Sequence, residues 1–292
     1  MIPRNFEYVS PSTLEQALNY LNEYGSNSKI LAGGQSLIPV MKLRLASPKY
    51  VIDINHLTEL DYIREDGDWL RIGALTKHHS IETSELLRRR AQIMTEAAAL
   101  IGDSQVRNCG TIGGSLVHAD PAADWGAVII ALGASLKMVS SSGERIVNSD
   151  DFFVDSLTSA AKSNEILAEI RVPLSSWSGG SYAKLERKSG DFATVGVAAQ
   201  ITLNSSGVCD RVGIGLASVA PTSIRARKAE AVLKDKEPTR ARIEEAARAA
   251  SEDSRPTDDP LRGSAEYKRA MIRVFAERAL SHAVNRAKNW SE

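Results

Sequence analysis

The sequence is poor in cysteine and in aromatic residues, and it has no long apolar run. Its two cysteines, Cys109 and Cys209, are too few for an iron–sulfur cluster, which normally takes four thiolates. A disulfide between them is not expected in a reducing compartment. Glycine or charge interrupts the apolar runs, so we expect no transmembrane span and no stable membrane insertion.

The chain also lacks an excess of charge of either sign. Lys plus Arg and Asp plus Glu each number 36 among 292 residues, which argues against nucleic acid or an anionic membrane as the main partner. The first residues, MIPRNFEYVSPSTLEQAL, do not show the apolar core of a signal peptide, so we expect a cytoplasmic protein. The adjacent pair His78-His79 directs its side chains differently on a helix or a strand, and we predict no metal site.

Apolar periodicity predicts an α+β protein. Residues 14–21 show the pattern of an amphipathic helix, and short apolar runs at 29–32 and 50–54 are typical of buried strands. Residues 182–187, 194–203 and 212–218 predict three consecutive strands, the last two joined by a turn at 204–207. From residue 224 the composition changes to Ala, Arg, Glu and Lys, which favours two or three closing helices.

Two glycine pairs lie in matching surroundings. Residues 31–37 read LAGGQSL and residues 111–116 read TIGGSL. Glycine reaches positive φ and lets a backbone approach a ligand closely, and exposed turn amides form anion-binding nests. One such pair alone is typical of a plain tight turn. Two in one chain favour a clamp on the two phosphates of a dinucleotide, although neither a G-x-G-x-x-G fingerprint nor a Walker A loop is present.

Asp124 is a candidate polar partner of that clamp. A carboxylate near a ribose can accept hydrogen bonds from the sugar hydroxyls. Its place just before Trp125-Gly126 is equally typical of an aspartate that caps a helix. The spacing leaves both interpretations open.

Four stretches together resemble the FAD-binding medium subunit of molybdenum-containing hydroxylases. These are LAGGQSLIPVMKLRLASP, TIGGSLVHADPAADW, YAKLERKSGDFATV at 182–195 and RGSAEYKRAM at 262–271. The family includes carbon monoxide dehydrogenase, nicotine and quinoline dehydrogenases, and the flavin domain of xanthine dehydrogenase. The resemblance implies an FAD-binding α/β subdomain at 1–56, a larger FAD-binding α+β subdomain at 57–176, and a three-stranded antiparallel sheet with a helical bundle at 177–292.

The resemblance also implies which residues contact FAD. The first stretch should wrap the diphosphate and ribitol, chiefly through backbone N–H groups, and comprises Lys29, Ile30, Leu31, Ala32, Gly33, Gly34, Gln35, Ser36 and Leu37. The middle subdomain should supply Ile101, Gly102, Val106, Gly110, Thr111, Gly114, Ser115 and His118. Ala123 and Asp124 should meet the adenosine half, and Leu167 the adenine. Lys184 should approach the isoalloxazine edge, although without the resemblance a solvated strand lysine is favoured.

The function that follows from the resemblance is electron transfer within a molybdenum-dependent oxidoreductase, with no catalytic residue in this chain. We expect FAD as its only redox centre, [2Fe–2S] clusters in a small partner subunit, and the molybdenum cofactor in a large one, assembled as a dimer of heterotrimers. A stand-alone flavin oxidoreductase and a nucleotide-binding scaffold are the alternatives. The sequence names neither the substrate nor the final electron acceptor.

Overall fold

The computed structural model describes residues 2–290, and its first segment alternates short strands with helices. These are β1 (Glu7–Val9), α1 (Leu14–Tyr24), β2 (Ser28–Leu31), α2 (Leu37–Lys42) and β3 (Tyr50–Asp53). The strands form a parallel sheet in the order β1-β3-β2. Helix α1 buries Ala17, Leu18 and Leu21 against it, as the periodicity predicts. Because β2 and β3 are parallel, the chain leaves both strands at the same end of the sheet.

The second segment is a five-stranded antiparallel sheet with helices around it. Its sheet order is β4-β5-β10-β6-β7, and the two-residue β9 pairs with β8 apart from it. The elements are β4 (Ile63–Asp66), β5 (Trp69–Gly73), α3 (His78–Glu82), α4 (Glu85–Arg90), α5 (Gln92–Ala99), α6 (Ser104–Cys109), α7 (Ile112–His118), α8 (Asp124–Leu132), β6 (Ser135–Ser140), β7 (Gly143–Asn148), α9 (Ser149–Phe152), β8 (Phe153–Asp155), β9 (Thr158–Ser159) and β10 (Ile166–Pro173).

The third segment confirms the predicted antiparallel sheet and adds a short fourth strand to it. Its elements are β11 (Ser178–Leu185), β12 (Val195–Leu203), β13 (Cys209–Ala217), β14 (Ile224–Arg225), α10 (Arg227–Leu233), α11 (Arg240–Asp253) and α12 (Ala265–Lys288). Helix α12 presents the buried alanines Ala276, Ala279, Ala283 and Ala287 on one face. Small side chains at this spacing let the helix lie close to β11 and β12. The α+β fold is therefore confirmed, while the three subdomain boundaries stay predictions.

Helix α8 is buried along its whole length between the second and third segments. Its backbone rests directly on β13, because a Cβ built on Gly213 would lie 1.9 Å from the Ala131 carbonyl oxygen and one on Gly215 would lie 2.0 Å from that of Ala127. The sequence DWGAVIIAL is apolar around the helix, as such a position requires. This packing fixes Asp124, its first residue, below the surface.

Two kinds of feature are absent from residues 2–290. No helix there is long and apolar enough to cross a membrane. In the same range, no three His, Cys, Asp or Glu side chains are grouped so that they would hold a metal ion.

We expect Gly213→Val to destabilise the protein by about 1–3 kcal/mol or more, because the new side chain would force α8 away from β13. Urea unfolding followed by circular dichroism measures the change. Asp210→Val, at an exposed position of the same strand, is the control. Equal stability of the two variants would contradict this description of the packing.

Candidate functional site

The loop between β2 and α2 carries a row of backbone amides without protein partners. Within residues 2–290, no N–H group of residues 32–37 donates a hydrogen bond to a protein acceptor. Gly34 lies in the left-handed region with φ of 73°, where a Cβ is unfavourable. A turn that presents successive free N–H groups is suited to an anion such as a diphosphate. Lys29, Ile30 and Leu31 lie in β2, paired with β3, and the contact of these three residues with the cofactor stays a prediction.

The second glycine pair is not a turn, contrary to the prediction from its likeness to the first. Gly113 and Gly114 lie in the first turn of α7, which Thr111 caps. The amide of Gly113 donates to the Ala74 carbonyl at 2.9 Å, and that of Gly114 to Thr111 Oγ1 at 3.2 Å. The protein itself uses these donors, so this segment is not a second amide nest.

The two glycine motifs nevertheless meet in space. A Cβ built on Gly33 would lie 2.3 Å from the carbonyl oxygen of Cys109 and 2.6 Å from Cα of Gly110. One built on Gly114 would come within 3.7 Å of the Ala32 Cβ. The loop of the parallel sheet therefore packs against the start of α7, and the absence of side chains makes this approach possible.

A second group of predicted residues surrounds the turn after α5. Gly102 has φ of 52°, and the side chain of Val106 fills the space that a Cβ there would need. Arg107 Nη1 donates to the carbonyls of Ile101 and Gly102 at 3.1 and 3.2 Å, while its Nε donates to Glu82 at 2.8 Å. Helix α6 therefore holds the 101–102 turn in place.

Lys184 and Asp124 form a buried ion pair. Lys184 Nζ lies 3.2 Å from Asp124 Oδ2 and donates to the Leu100 carbonyl at 2.9 Å, and its side chain is only 1% exposed. Tyr182 Oη donates to Asp124 Oδ1 at 2.6 Å. Burial raises the pKa of the Asp124 carboxyl against the opposing effect of Lys184, and burial together with Asp124 raises the pKa of Tyr182. Lys184 is thus not a solvated strand lysine.

This geometry bears on the predictions for Asp124 and Lys184. Both oxygens of Asp124 accept hydrogen bonds inside the protein, and the contact of this residue with the adenosine half of the cofactor stays a prediction. Its side chain does not cap α8. The Lys184 cation is compensated by Asp124 and by Glu186 at 3.6 Å. The approach of Lys184 to an isoalloxazine edge stays a prediction. The charge that it would bring there is already paired with a carboxylate.

The other predicted residues differ in accessibility. Ser115 and His118 are half-buried on α7, and Ala123 is half-buried just before α8. Leu167 is 5% exposed and belongs to the large core. Contacts of all these residues with a cofactor stay predictions.

His78 was missed as part of this site. Its Nδ1 accepts a hydrogen bond from Trp125 Nε1 at 3.2 Å, and its ring packs against Gly110, where a Cβ would lie 2.9 Å from Nε2. Burial, with the nearby Arg107 guanidinium, lowers the pKa of His78 to about 4, so the ring is neutral at pH 7. For the doublet His78-His79 the sequence favoured a structural or surface role over metal binding, and no local pattern links it to Gly110.

Comparison with known proteins identifies the family to which this chain belongs. Residues 4–175 match the family described as FAD binding domain in molybdopterin dehydrogenase, and residues 180–283 match CO dehydrogenase flavoprotein C-terminal domain. The chain belongs to the family of FAD-binding medium subunits of molybdenum hydroxylases. The resemblance drawn from the sequence motifs is confirmed, and FAD is the cofactor of this medium subunit.

Individual relatives agree with this over the full length of the medium subunit. It is 41% identical to the carbon monoxide dehydrogenase medium chain of Hydrogenophaga pseudoflava over 97% of this chain and 98% of that one. It is 38% identical to 6-hydroxypseudooxynicotine dehydrogenase complex subunit alpha of Paenarthrobacter nicotinovorans, over 100% and 99% of the two chains. The solved carbon monoxide dehydrogenase from Hydrogenophaga pseudoflava that lacks the Mo-pyranopterin moiety matches with a TM-score of 0.94 and 43% identity, over 98% and 99% of the two chains.

The residues of this chain fit FAD on structural grounds as well. Free amides at 32–37 suit a diphosphate, and Gly33 and Gly110 bring two backbone segments together without side chains between them. Both features are those expected where a chain must lie close to a flat, charged cofactor.

We expect Gly34→Ala to weaken FAD binding at least about tenfold, because a Cβ at positive φ costs roughly 1–2 kcal/mol and would turn the free amides away. Flavin fluorescence titration measures the dissociation constant. Gly207→Ala is a matched control, since Gly207 has φ of 75° in the turn between β12 and β13 with open space around it. Equal FAD affinity of the two variants would contradict the role of this loop.

We also expect His78 to lower the free energy of unfolding in acid. The folded-state pKa of about 4 lies below the ordinary 6.5, so the unfolded chain binds more protons between these values and stability falls as the pH drops through this window. This single group should lower the free energy of unfolding by about 2 kcal/mol as the pH falls from 7 to 5. His78→Asn should abolish that part of the pH dependence in urea unfolding, whereas His282→Asn, exposed on α12, should preserve it.

Proposed function

We propose that this chain is the electron-transferring FAD subunit of a heterotrimeric molybdenum hydroxylase, passing electrons from [2Fe–2S] clusters of a small subunit to an external acceptor. The observation that carries the proposal is the full-length likeness to medium chains, together with a loop of free amides where such a subunit needs its diphosphate site. FAD, when bound, supplies the ability to take up electrons singly and release them in pairs.

The residues of this chain have binding and positioning roles in the proposal. The amides of 32–37 bind the diphosphate, and the backbone near Gly110 and Gly114 bounds the other side of the cofactor. The buried pair Lys184–Asp124 holds the turn at 101–102 through the Leu100 carbonyl and excludes water beneath it. A compensated cation there can orient the isoalloxazine edge without adding a net charge.

The proposal assigns substrate chemistry to another chain. Every buried charged side chain found in residues 2–290 has a partner within the protein, including Asp53, Asp124, Glu165, Glu169 and Lys268. Their hydrogen bonds give these groups structural roles, which supports placing the chemistry at a substrate carbon in another chain. The large, molybdenum-binding partner would oxidise the substrate, and two heterotrimers would associate. A cytoplasmic location is part of the same proposal.

The test compares the FAD-loaded chain alone with the chain mixed with its two partner subunits. We expect the chain alone to give no substrate-dependent reduction of a dye acceptor, and the mixture to give turnover at ~1 per second or more. Free FAD at the same concentration is the control for nonenzymatic reduction. Turnover at that rate by the chain alone would overturn the proposal and favour a stand-alone flavin oxidoreductase.

A further inference from the structure

We propose that Asn55 is a positioning residue for the cofactor, which aims the amide of Gly33 at the diphosphate. The inference rests on the proposed FAD site at residues 32–37, and it names a residue outside the motifs that identify that site. Asn55 follows β3 and lies beside the loop because the parallel strands β2 and β3 end at the same edge of the sheet.

The geometry is a hydrogen bond from a side chain to the loop backbone. Asn55 Nδ2 donates to the Ala32 carbonyl at 2.7 Å. One residue earlier, the amide of Ile54 donates to the Leu31 carbonyl at 3.0 Å as the last bond of the strand pairing. The side chain of Asn55 therefore adds one hydrogen bond beyond the last backbone bond between β2 and β3, at the residue where the loop leaves β2.

Peptide geometry converts this bond into an orientation of the next amide. The Ala32 carbonyl and the Gly33 N–H belong to one planar trans peptide, so they point in opposite directions. Holding the carbonyl towards Asn55 directs the Gly33 N–H away from the sheet edge. This N–H is one of those that donate to no protein acceptor within residues 2–290. Glycine at 33 has a wide range of allowed φ, so a hydrogen bond to this peptide supplies a restraint that the residue itself does not.

Asn55 is itself held in place by Asp53. Asp53 Oδ1 accepts from both the backbone N–H and Nδ2 of Asn55, at 2.9 and 2.7 Å. Tyr8 Oη donates to Asp53 Oδ2 at 2.6 Å. Burial raises the pKa of Asp53, but the hydrogen bonds from Tyr8 and Asn55 and the nearby His56 outweigh it and hold that pKa below its ordinary value. Asp53 is thus ionised at neutral pH and fixes which side of the Asn55 amide carries the donor.

The experiment measures the affinity of the full-length apoprotein for FAD and for ADP, which carries the diphosphate without the flavin. Asn55→Ala and the isosteric Asn55→Asp both remove the donor. Each substitution should weaken the binding of FAD and of ADP by the same factor, roughly 10- to 100-fold, which is the contribution of one hydrogen bond to a charged group. The urea midpoint of the apoprotein reports on the fold. Asn22→Ala is the matched control, because Asn22 Nδ2 donates to Ser141 Oγ at 2.8 Å on the surface.

The outcomes separate this inference from the proposed function. Loss of FAD and ADP affinity in both Asn55 variants, with an unchanged urea midpoint and an unaffected Asn22→Ala, supports the positioning role. Unchanged affinities in the Asn55 variants overturn it, and so does retained affinity in Asn55→Asp alone, which would show that packing matters and the donor does not. Wild-type protein that fails to bind FAD would instead overturn the proposed function.

Discussion

The approach of Gly33 to the backbone of Cys109 and Gly110 is the constraint on which the site depends. A single methyl group at residue 33 would overlap the Cys109 carbonyl oxygen, 2.3 Å away. The contact joins the edge of the parallel sheet to the end of α6 and the start of α7. Helix α6 in turn holds the 101–102 turn through Arg107. Moving these two backbones apart would therefore displace both groups of predicted cofactor residues together.

The Lys184–Asp124 pair performs a similar task for the C-terminal sheet. A buried ion pair contributes little net stability, because the cost of removing both charges from water offsets their attraction. Losing one partner is nevertheless costly, since it leaves the other charge buried and uncompensated. The pair therefore fixes where β11 meets α8 and the end of α5, rather than adding much to the free energy of unfolding.

The sequence predicted the broad fold well, because local patterns determine it. Apolar periodicity located α1 and the three long C-terminal strands, and the turn between β12 and β13 followed from Asn, Ser and Gly. The second glycine pair was misread because its likeness to the first outweighed a local signal. Thr111 can cap a helix, and Ile112 and Leu116 have helical spacing.

What the sequence could not predict is long-range pairing. Lys184 lies on a strand, and the alternation of side chains along that strand does not decide whether Lys184 is exposed. Its partners Asp124 and Leu100 are 60 and 84 residues away. The link between Asn55 and Ala32 likewise spans 23 residues and needs the parallel pairing of β2 with β3. Family motifs indicated the glycine loop but not the side chain beside it, because a motif marks contiguous residues and a hydrogen bond joins separate ones.

A site made largely of backbone has a consequence for how such a subunit can change. Amides at 32–37 and the glycine contacts depend on main-chain conformation, so most side chains around them can vary while the diphosphate site persists. In the proposed site, the side chains that matter are those that hold the backbone, such as Asn55 at the Ala32 carbonyl and Arg107 at the 101–102 turn. The carbon monoxide dehydrogenase medium chain and 6-hydroxypseudooxynicotine dehydrogenase subunit alpha are named for very different substrates, yet each is similar to this chain over nearly its full length. A site built from backbone is consistent with that breadth, because the proposed function leaves the substrate to another chain.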